Sequence, residues 1–520
     1  MDLLIRNCTV IDGSGAPAYP GSVGLHRGKL ALFPGSAAPA AKEVVDGTGL
    51  TAVPGFIDAH SHGDLLLQSP YATLSKASQG FTTEIAGQCG VSMFPARPRE
   101  AEDFSRFLSG IAPSPDLPAD LGACESAGTF FAWLQERRHP LTTRSFVGHG
   151  ALRLWAMGYA DRRPEETELS RMKAMLRRCI REGALGLSTG LVYAPSCYGD
   201  NEEILSLLRV VHEEGGVYAC HPRNEADRCV EARAEQMELA RQADVPLCVS
   251  HLKAAGRDNW GKPERMLRDI QQAAERGQRI LIDDYPYTAG CTSLNVSIPP
   301  KYFTEGLPGL VTALRSRSER AAIRAALCRK TEYENYIYNC GGFDHVFIGS
   351  CPVTREAEGL FVSEYAQRQG KDPFDAYFDL LADNGGLGLG VYFHMDEADV
   401  VAILSHPLCA LGTDGLLGPA GENPHPRAFG STGRFYNLLV REKKLLSPEQ
   451  AVRKMTGLPT DFLHLADKGY LRDGYDGDLV LLDLPRFSDA ASYKNGAKLT
   501  AGVERVYAGG TCIYRQGELL

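Results

Sequence analysis

The chain has 520 residues, of which 44% are hydrophobic and 23% are charged, a composition typical of a soluble globular protein. Its formal net charge is −9 with acidic and basic residues interspersed, so we expect no basic surface of the kind that binds nucleic acid. No apolar run is long enough to span a membrane, and the length exceeds the roughly 250–300 residues at which a single core stops growing.

The N-terminal stretch MDLLIRNCTVIDG has neither the basic start nor the long apolar core of a signal peptide, and it is typical of a strand in a folded domain. Fourteen cysteines are scattered along the chain without a Cys-x-x-Cys pair. A chain of this size does not need disulfides, so we expect free thiols and a cytoplasmic location.

Both ends of the chain predict short antiparallel strands. Residues 2–52 contain alternating segments broken by glycine, and similar segments occur at 477–484 and 503–518. About fifty residues can hardly bury a core alone. We therefore predict one small β-sandwich domain formed by residues 1–52 together with residues 469–520.

Residues 53–468 show a different pattern, in which short apolar strands alternate with helices. The clearest predicted helix covers residues 202–214, and two more cover roughly 231–243 and 263–277. The eight strand candidates are VPGFIDAHSH, FTTEIAGQCG, SFVGHG, ALGLSTG, GVYACH, PLCVSH, RILIDDYPY and CALGTDG. Eight strands alternating with helices predict an α/β fold, a TIM (β/α)8 barrel with its active site at the C-terminal strand ends.

The spacing of the strand candidates is interrupted once. More than a hundred residues separate the start of the seventh candidate from the eighth, and residues 290–400 contain several helical segments. Long insertions in compact domains are usually functional. We predict an insertion between barrel strands seven and eight that acts as a lid over the barrel mouth.

Six polar side chains follow predicted strands at positions where a barrel would bring them to one rim. They are His60, His62, Cys89, His221, His251 and Asp414. Imidazole, thiolate and carboxylate groups are ligands suited to zinc, and a chance clustering at so many strand ends is improbable. The sequence therefore predicts a zinc site at the C-terminal end of the barrel.

Other histidines receive different assignments. His149 follows the third strand candidate, so it either reaches the metal site or makes a local hydrogen bond, and of the two we favour the local hydrogen bond. Structural roles are expected for His26, His139, His212, His345, His394, His406 and His464.

Asp414, at the end of the last predicted strand, has a separate expected role. A metal lowers the pKa of water toward about 7, and a nearby carboxylate can accept the proton of that water. The same carboxylate can then deliver the proton to a leaving group. We expect Asp414 to be the general base and acid.

The motif VPGFIDAHSHGD at 53–64, the strand-end His221 and His251, and TDG at 413–415 resemble the amidohydrolase superfamily. Further segments resemble its N-acyl-D-amino-acid deacylase (D-aminoacylase) family. These segments are TTEIAGQCG (82–90), GHGALR (148–153), GALGLSTGLVYAP (183–195), SHLK (250–253), DYPYTAG (284–290) and HPRAFG (425–430). The resemblance implies a metal-dependent hydrolase that cleaves the amide bond of small N-acyl-D-amino acids.

The resemblance also implies individual roles. Many amidohydrolases bridge two metals with a carboxylated lysine on strand four, where this chain has none, and Cys89 matches the cysteine that takes that place. It implies one tightly bound zinc on Cys89, His221 and His251, and a weaker second position on His60 and His62. Substrate-binding positions are also implied: Lys253 and Arg427 for the α-carboxylate, and Tyr193 and Tyr285 for other contacts.

Two alternatives stay open beside this interpretation. The first is a cyclic-amide hydrolase of the dihydroorotase or hydantoinase kind, or an isoaspartyl dipeptidase, against which the missing strand-four lysine argues. The second is a barrel that binds metal without catalysis. The chain departs from the family pattern at Leu252, at Cys291 and in the segment GLLGPAGENPHP (415–426), which we expect to affect the substrate pocket and leave the metal site intact.

Overall fold

A computed structural model describes residues 1–35, 39–97, 101–111, 118, 120–418 and 423–520. The N-terminal strands are β1 (Leu3–Val10), β2 (Tyr19–His26), β3 (Lys29–Pro34), β4 (Glu43–Asp46) and β5 (Thr51–Pro54). Strand β1 pairs antiparallel with β2 and parallel with β4 and β5. Glycine and proline turns separate these strands, as the alternating pattern predicts.

The next strands fill seven of the eight strand positions of a parallel barrel. They are β6 (Phe56–Asp58), β7 (Phe81–Ala86), β8 (Thr142–Ser145), β9 (Val147–Gly148), β10 (Gly186–Gly190), β11 (Val217–His221), β12 (Leu247–Val249) and β13 (Ile280–Asp284). The short strands β8 and β9 together fill the third position. Parallel pairing runs from β6 to β8 and from β9 to β13. These two groups of paired strands meet at the third position, where the Phe146 N–H, between β8 and β9, donates to Ala86 O of β7.

Helices cover the outside of these strands. They are α1 (Pro70–Ala77), α2 (Ala101–Ser109), α3 (Ala127–Glu136), α4 (His149–Met157), α5 (Glu166–Arg181), α6 (Asn201–Glu213), α7 (Cys229–Ala243) and α8 (Lys262–Glu275). The three helices predicted most clearly are confirmed as α6, α7 and α8, within a few residues at each end. In α6, Asp200 caps the first turn by accepting the Glu203 N–H.

An insertion follows the seventh barrel strand. It contains a three-stranded antiparallel sheet of β14 (Ala289–Ser293), β15 (Val346–Ser350) and β16 (Leu389–Phe393), in the order β14-β16-β15. Its helices are α9 (Gly306–Arg315), α10 (Arg317–Leu327), α11 (Tyr336–Cys340), α12 (Val362–Gln369) and α13 (Pro373–Asp383). The insertion has its own apolar core, which includes Leu310, Tyr377 and Tyr392.

The barrel closes after the insertion. Helix α14 (Glu397–Ser405) leads into β17 (Cys409–Leu411), which pairs parallel with β13. On its other side the Ala59 N–H donates to Leu411 O, so the last strand meets the first. The predicted TIM barrel with an insertion between strands seven and eight is thereby confirmed.

The C-terminal part returns to the small sheet. It contains α15 (Arg427–Tyr436) with a π-helical extension (Asn437–Glu442), α16 (Pro448–Met455), α17 (Gly457–Leu463) and the strands β18 (Leu479–Leu482), β19 (Val503–Ala508), β20 (Thr511–Arg515) and β21 (Glu518–Leu519). The sheet order β21-β20-β19-β18-β5-β1-β2-β3 joins both ends of the chain. Both termini thus share one β-domain, while the predicted domain boundaries at residues 52 and 469 stay a prediction.

Strand β18 is buried on both faces because it lies between two cores. Leu479 and Leu481 pack into the core of the small sheet, and Val480 and Leu482 pack into the main core. Alternate residues of a strand point to opposite faces, which explains this division. None of the described helices is long and apolar enough to cross a membrane.

Gly186, in β10, occupies a position that no other residue can take without displacing a strand. Its φ is +143°, and a Cβ there would lie 2.0 Å from Val217 O in the neighbouring β11. We expect Gly186→Ala to break this part of the ladder and to lower the melting temperature by several degrees or prevent folding. Gly183→Ala is the matched control, since Gly183 has φ +109° and only the Phe131 ring nearby at 3.7 Å. Equal melting temperatures for the two variants would contradict the expectation.

Candidate metal centre

The six strand-end side chains predicted to converge lie together at the C-terminal end of the barrel. They are His60, His62, Cys89, His221, His251 and Asp414. Each is buried, at 8% exposure or less. The barrel brings them together because all parallel strands end at the same rim.

The first group of donor atoms centres on Cys89. Its Sγ lies 3.4 Å from His60 Nε2 and 3.3 Å from His251 Nε2. Ligands about 2.1–2.3 Å from one tetrahedral zinc lie roughly 3.4–3.8 Å apart, so these separations fit a shared metal. His221 Nδ1 lies 2.9 Å from His251 Nε2, which adds a third imidazole to the group.

A second group of donors shares His60 with the first. Asp414 Oδ1 lies 3.3 Å from His62 Nε2 and 3.6 Å from His60 Nε2. His60 belongs to both groups, because its Nε2 lies near Cys89 Sγ of the first group and near Asp414 Oδ1 of the second. The chemistry and spacing of these donors therefore fit two adjacent metal positions.

Three of these residues have backbone conformations that are rare for residues other than glycine. The φ angles are +53° for Cys89, +33° for His251 and +48° for Asp414. Such conformations cost about 1–3 kcal/mol each and persist where the surrounding structure imposes them. Each of the three follows the end of a strand, so the left-handed turn aims its side chain into the barrel mouth.

The electrostatics of the site favour the anionic form of its acids. Burial raises the pKa of the Cys89 thiol, but His60 and His251 outweigh burial and hold that pKa well below its usual range. Burial also raises the pKa of Asp414, but Arg427, His62, His60 and His251 together outweigh burial and hold that pKa well below its usual range. A thiolate and a carboxylate are the forms that bind metal.

Two buried carboxylates that the sequence analysis did not identify orient the histidines. Glu225 Oε1 lies 3.0 Å from His251 Nδ1. Asp283 Oδ1 accepts the His251 backbone N–H at 2.8 Å and lies 2.9 Å from His60 Nδ1. Carboxylates on the second nitrogen of a ligating histidine fix its tautomer and orientation. The available signals were weak: Glu225 stands four residues after His221, and Asp283 lies within strand β13.

The two basic residues predicted for the substrate carboxylate line the same cavity as the donors. Arg427 is fully buried and makes an ion pair with Asp414 at 2.9 Å, and its second nitrogen donates to Cys291 O at 2.8 Å. Lys253 Nζ lies 3.0 Å from Glu225 Oε1. Each cation is thus paired with an acid of the site.

The two tyrosines predicted as substrate contacts also line this cavity. The Tyr193 hydroxyl lies 2.9 Å from the Thr292 hydroxyl of the insertion. Arg427 Cζ lies 4.6 Å from the centroid of the Tyr285 ring, and Lys253 Nζ lies 5.6 Å from the same centroid. Both basic side chains therefore lie within cation–π distance of the Tyr285 ring.

The insertion reaches the metal centre through Glu334. Its Oε2 accepts the Glu225 backbone N–H at 2.7 Å, and Glu334 is 3% exposed. Residues of the insertion strands also line the cavity, namely Gly290, Cys291 and Thr292. The insertion thus forms one wall of the site, while a lid motion stays a prediction.

Other expectations of the sequence analysis have mixed outcomes. His149 makes local contacts, with Ser196 Oγ at 2.7 Å and Glu203 Oε1 at 2.8 Å, as predicted. His394, given a structural role, instead lines the cavity. Cys291 lines the cavity as expected, but Leu252 packs in the main core. Residues 419–422 of the segment 415–426 lie outside the described residues.

Known proteins are similar to this chain over nearly its whole length. The sequence profile of the amidohydrolase family matches residues 43–264 and 339–514. An N-acyl-D-aspartate deacylase of Alcaligenes xylosoxydans xylosoxydans is 33% identical over 99% of this chain and 92% of its own.

Two solved structures are similar as well. An N-acyl-D-glutamate deacylase from Bordetella bronchiseptica, complexed with zinc and a phosphonate mimic of the tetrahedral intermediate, is 30% identical with a TM-score of 0.82. The alignment covers 99% of this chain and 97% of that one. A D-aminoacylase with a binuclear metal centre is 28% identical with a TM-score of 0.82, covering 100% and 97% of the two chains.

Cys89 is the donor whose loss tests the metal site most directly. We expect Cys89→Ala to lose its tightly bound metal, because the Cys89 sulfur lies 3.4 Å from His60 Nε2 and 3.3 Å from His251 Nε2. Metal content per chain after dialysis measures this, and a cobalt-substituted sample would lose its thiolate charge-transfer band. Cys248→Ala, which removes another buried barrel thiol, is the control and should keep its metal. Full metal content in Cys89→Ala would refute the assignment.

Proposed function

The chain belongs to the amidohydrolase family, and on that basis we propose that it is a zinc-dependent hydrolase of N-acyl-D-amino acids. It cleaves the amide bond and releases a carboxylate and a free D-amino acid. The observation that carries the proposal is the Cys89–His221–His251 donor cluster beside the Asp414–Arg427 pair in one cavity. The three similar proteins are an N-acyl-D-aspartate deacylase, an N-acyl-D-glutamate deacylase and a D-aminoacylase, which supports the D stereochemistry.

One of the two metal positions would be the tight one. Cys89, His221 and His251 would hold this zinc, and His60 and His62 would hold a weaker second ion with Cys89 between the two positions. When bound, zinc supplies a Lewis acid for the carbonyl and lowers the pKa of water toward about 7. The binuclear centre of the similar D-aminoacylase supports two positions.

Arg427 and Lys253 anchor the α-carboxylate of the substrate in this proposal. A guanidinium offers a bidentate fork that matches a carboxylate. Both cations already have partners, Asp414 and Glu225, so the substrate shares them instead of meeting bare charges. This anchor fixes the scissile amide relative to Asp414, which lies 2.9 Å from Arg427.

Asp414 moves the protons of the reaction. Its carboxylate accepts a proton from water as the water oxygen bonds to the amide carbon. It then donates that proton to the amide nitrogen as the carbon–nitrogen bond breaks. The depressed pKa of Asp414, caused by Arg427 and His62 against the effect of burial, keeps it ready to accept a proton at neutral pH.

The substrate environment follows from the same cavity. Tyr193 and Tyr285 contact the bound acyl amino acid, since both line the cavity beside the basic anchor. Small N-acyl amino acids are the expected ligands. No disulfide joins any two of the fourteen cysteines, all of which lie among the described residues, and this supports a reducing cytoplasm as the location.

A panel of paired N-acetyl-D- and N-acetyl-L-amino acids tests the function. With zinc-loaded protein we expect free amine from D substrates only, measured with a primary-amine reagent. Cleavage of the L series alone would refute the D assignment. Silence across the panel would refute the deacylase proposal and direct attention to cyclic amides such as hydantoins.

Replacement of Asp414 by asparagine tests the proton-transfer role. We expect Asp414→Asn to lower kcat by about a hundredfold or more while the zinc held by Cys89, His221 and His251 stays bound. Asp399→Asn is a suitable control, because Asp399 is a buried acid outside the cavity that accepts the Gly261 N–H. An Asp414→Asn enzyme with wild-type kcat would exclude this role.

A further inference from the structure

His394 stands at the end of β16, where the insertion meets the barrel. Its backbone carbonyl accepts the Gly256 N–H at 2.7 Å and the Trp260 indole N–H at 3.1 Å. Both donors belong to the barrel loop after β12. The position of His394 is therefore fixed by the barrel, although the residue belongs to the insertion.

The His394 ring faces the cavity without a protein partner. Both ring nitrogens are buried and neither makes a hydrogen bond among the described residues. The ring lines the cavity with Lys253 and Tyr285, and a Cβ placed on Gly290 would lie 3.1 Å from His394 Nε2. Glycine at 290 thus leaves open the space in front of this nitrogen.

In the free protein the imidazole contacts the rings of Tyr336 and Tyr392 but makes no hydrogen bond among the described residues. Burial and the field of Lys253 lower the pKa of His394 to about 3, so the ring is neutral, with one donor and one acceptor. A buried polar group without a partner is destabilising. His149, equally buried, shows the usual solution, because both of its nitrogens have partners.

A different part of the structure suits the acyl group. An apolar chamber shares Ile111 and Tyr193 with the metal-site cavity and is lined further by Val91, Phe107 and Val296. Lys253 and His394 do not line it. The anchor side and the apolar side of the substrate space therefore differ in chemistry.

We propose that His394 recognises the side chain of the D-amino acid, and that the preferred substrates carry a carbonyl oxygen in that side chain. This inference rests on the proposed function, because the α-carboxylate on Lys253 and Arg427 places the α-carbon near His394. The ring N–H donates to the side-chain oxygen. Carboxamides and carboxylates both offer this oxygen, and a carboxamide can also donate to the second ring nitrogen.

The test compares substrates of matched size on the zinc-loaded protein. N-acetyl-D-asparagine and N-acetyl-D-aspartate are compared with N-acetyl-D-leucine, and the glutamine and glutamate derivatives with that of D-methionine. We expect kcat/KM to favour the oxygen-bearing partner by about tenfold or more. The asparagine and aspartate arms show whether the amide or the acid is preferred.

Three variants assign the preference to His394. His394→Met should lose the preference and melt at or above the wild-type temperature, since it removes an unpartnered polar ring. His394→Gln should retain part of the preference, because an amide keeps a donor and an acceptor. His345→Met, which replaces an insertion histidine outside this cavity, should leave the preference unchanged.

Several outcomes would overturn the inference. A wild-type preference for leucine or methionine would do so without any variant. An unchanged preference in His394→Met, with or without a lower melting temperature, would mark His394 as structural. If D substrates are cleaved in either case, the proposed function stands while this inference fails. If no D substrate is cleaved, both fail.

Discussion

The Asp58 carboxylate joins the first and last strands of the barrel, and the geometry of the metal centre depends on this junction. Asp58 is fully buried and accepts the Thr413 N–H at 2.7 Å, the Thr413 hydroxyl at 2.6 Å and the Lys76 ammonium. Two residues after Asp58 comes His60, and one residue after Thr413 comes Asp414. The Asp414 N–H in turn donates to His60 O at 2.8 Å. Loss of this junction would separate His60 from Asp414.

Buried charge is the second constraint on the site. Two buried ion pairs line the cavity, one between Asp414 and Arg427 and the other between Glu225 and Lys253. Isolated buried charges are costly, and removing one partner of such a pair is strongly destabilising. Cys89 has no cationic side chain of its own among the described residues beyond the histidines around it. A metal ion supplies the positive charge that this thiolate and its imidazoles can share, which explains why the donors can lie so close together.

The insertion and the barrel divide the work of the site. The ends of the barrel strands position the six candidate donor side chains and Lys253. The insertion supplies the opposite wall, with Glu334 holding the Glu225 backbone and His394 held by the Gly256 N–H. Contacts therefore run in both directions across the junction. The candidate metal donors therefore lie on the barrel, and the insertion forms the opposite wall of the cavity.

The sequence by itself determined the strand–helix alternation, the eight barrel strands and the residues that follow them, because strand periodicity and terminal position are local properties. The histidines, Cys89 and Asp414 were found in this way. The tertiary structure decided which groups pair: Arg427 with Asp414, Asp283 with His60, and Glu334 with Glu225. It also showed that His394 faces the cavity. Hydrogen bonds and ion pairs between strands and insertion depend on side-chain directions across a closed barrel, which local sequence patterns do not encode.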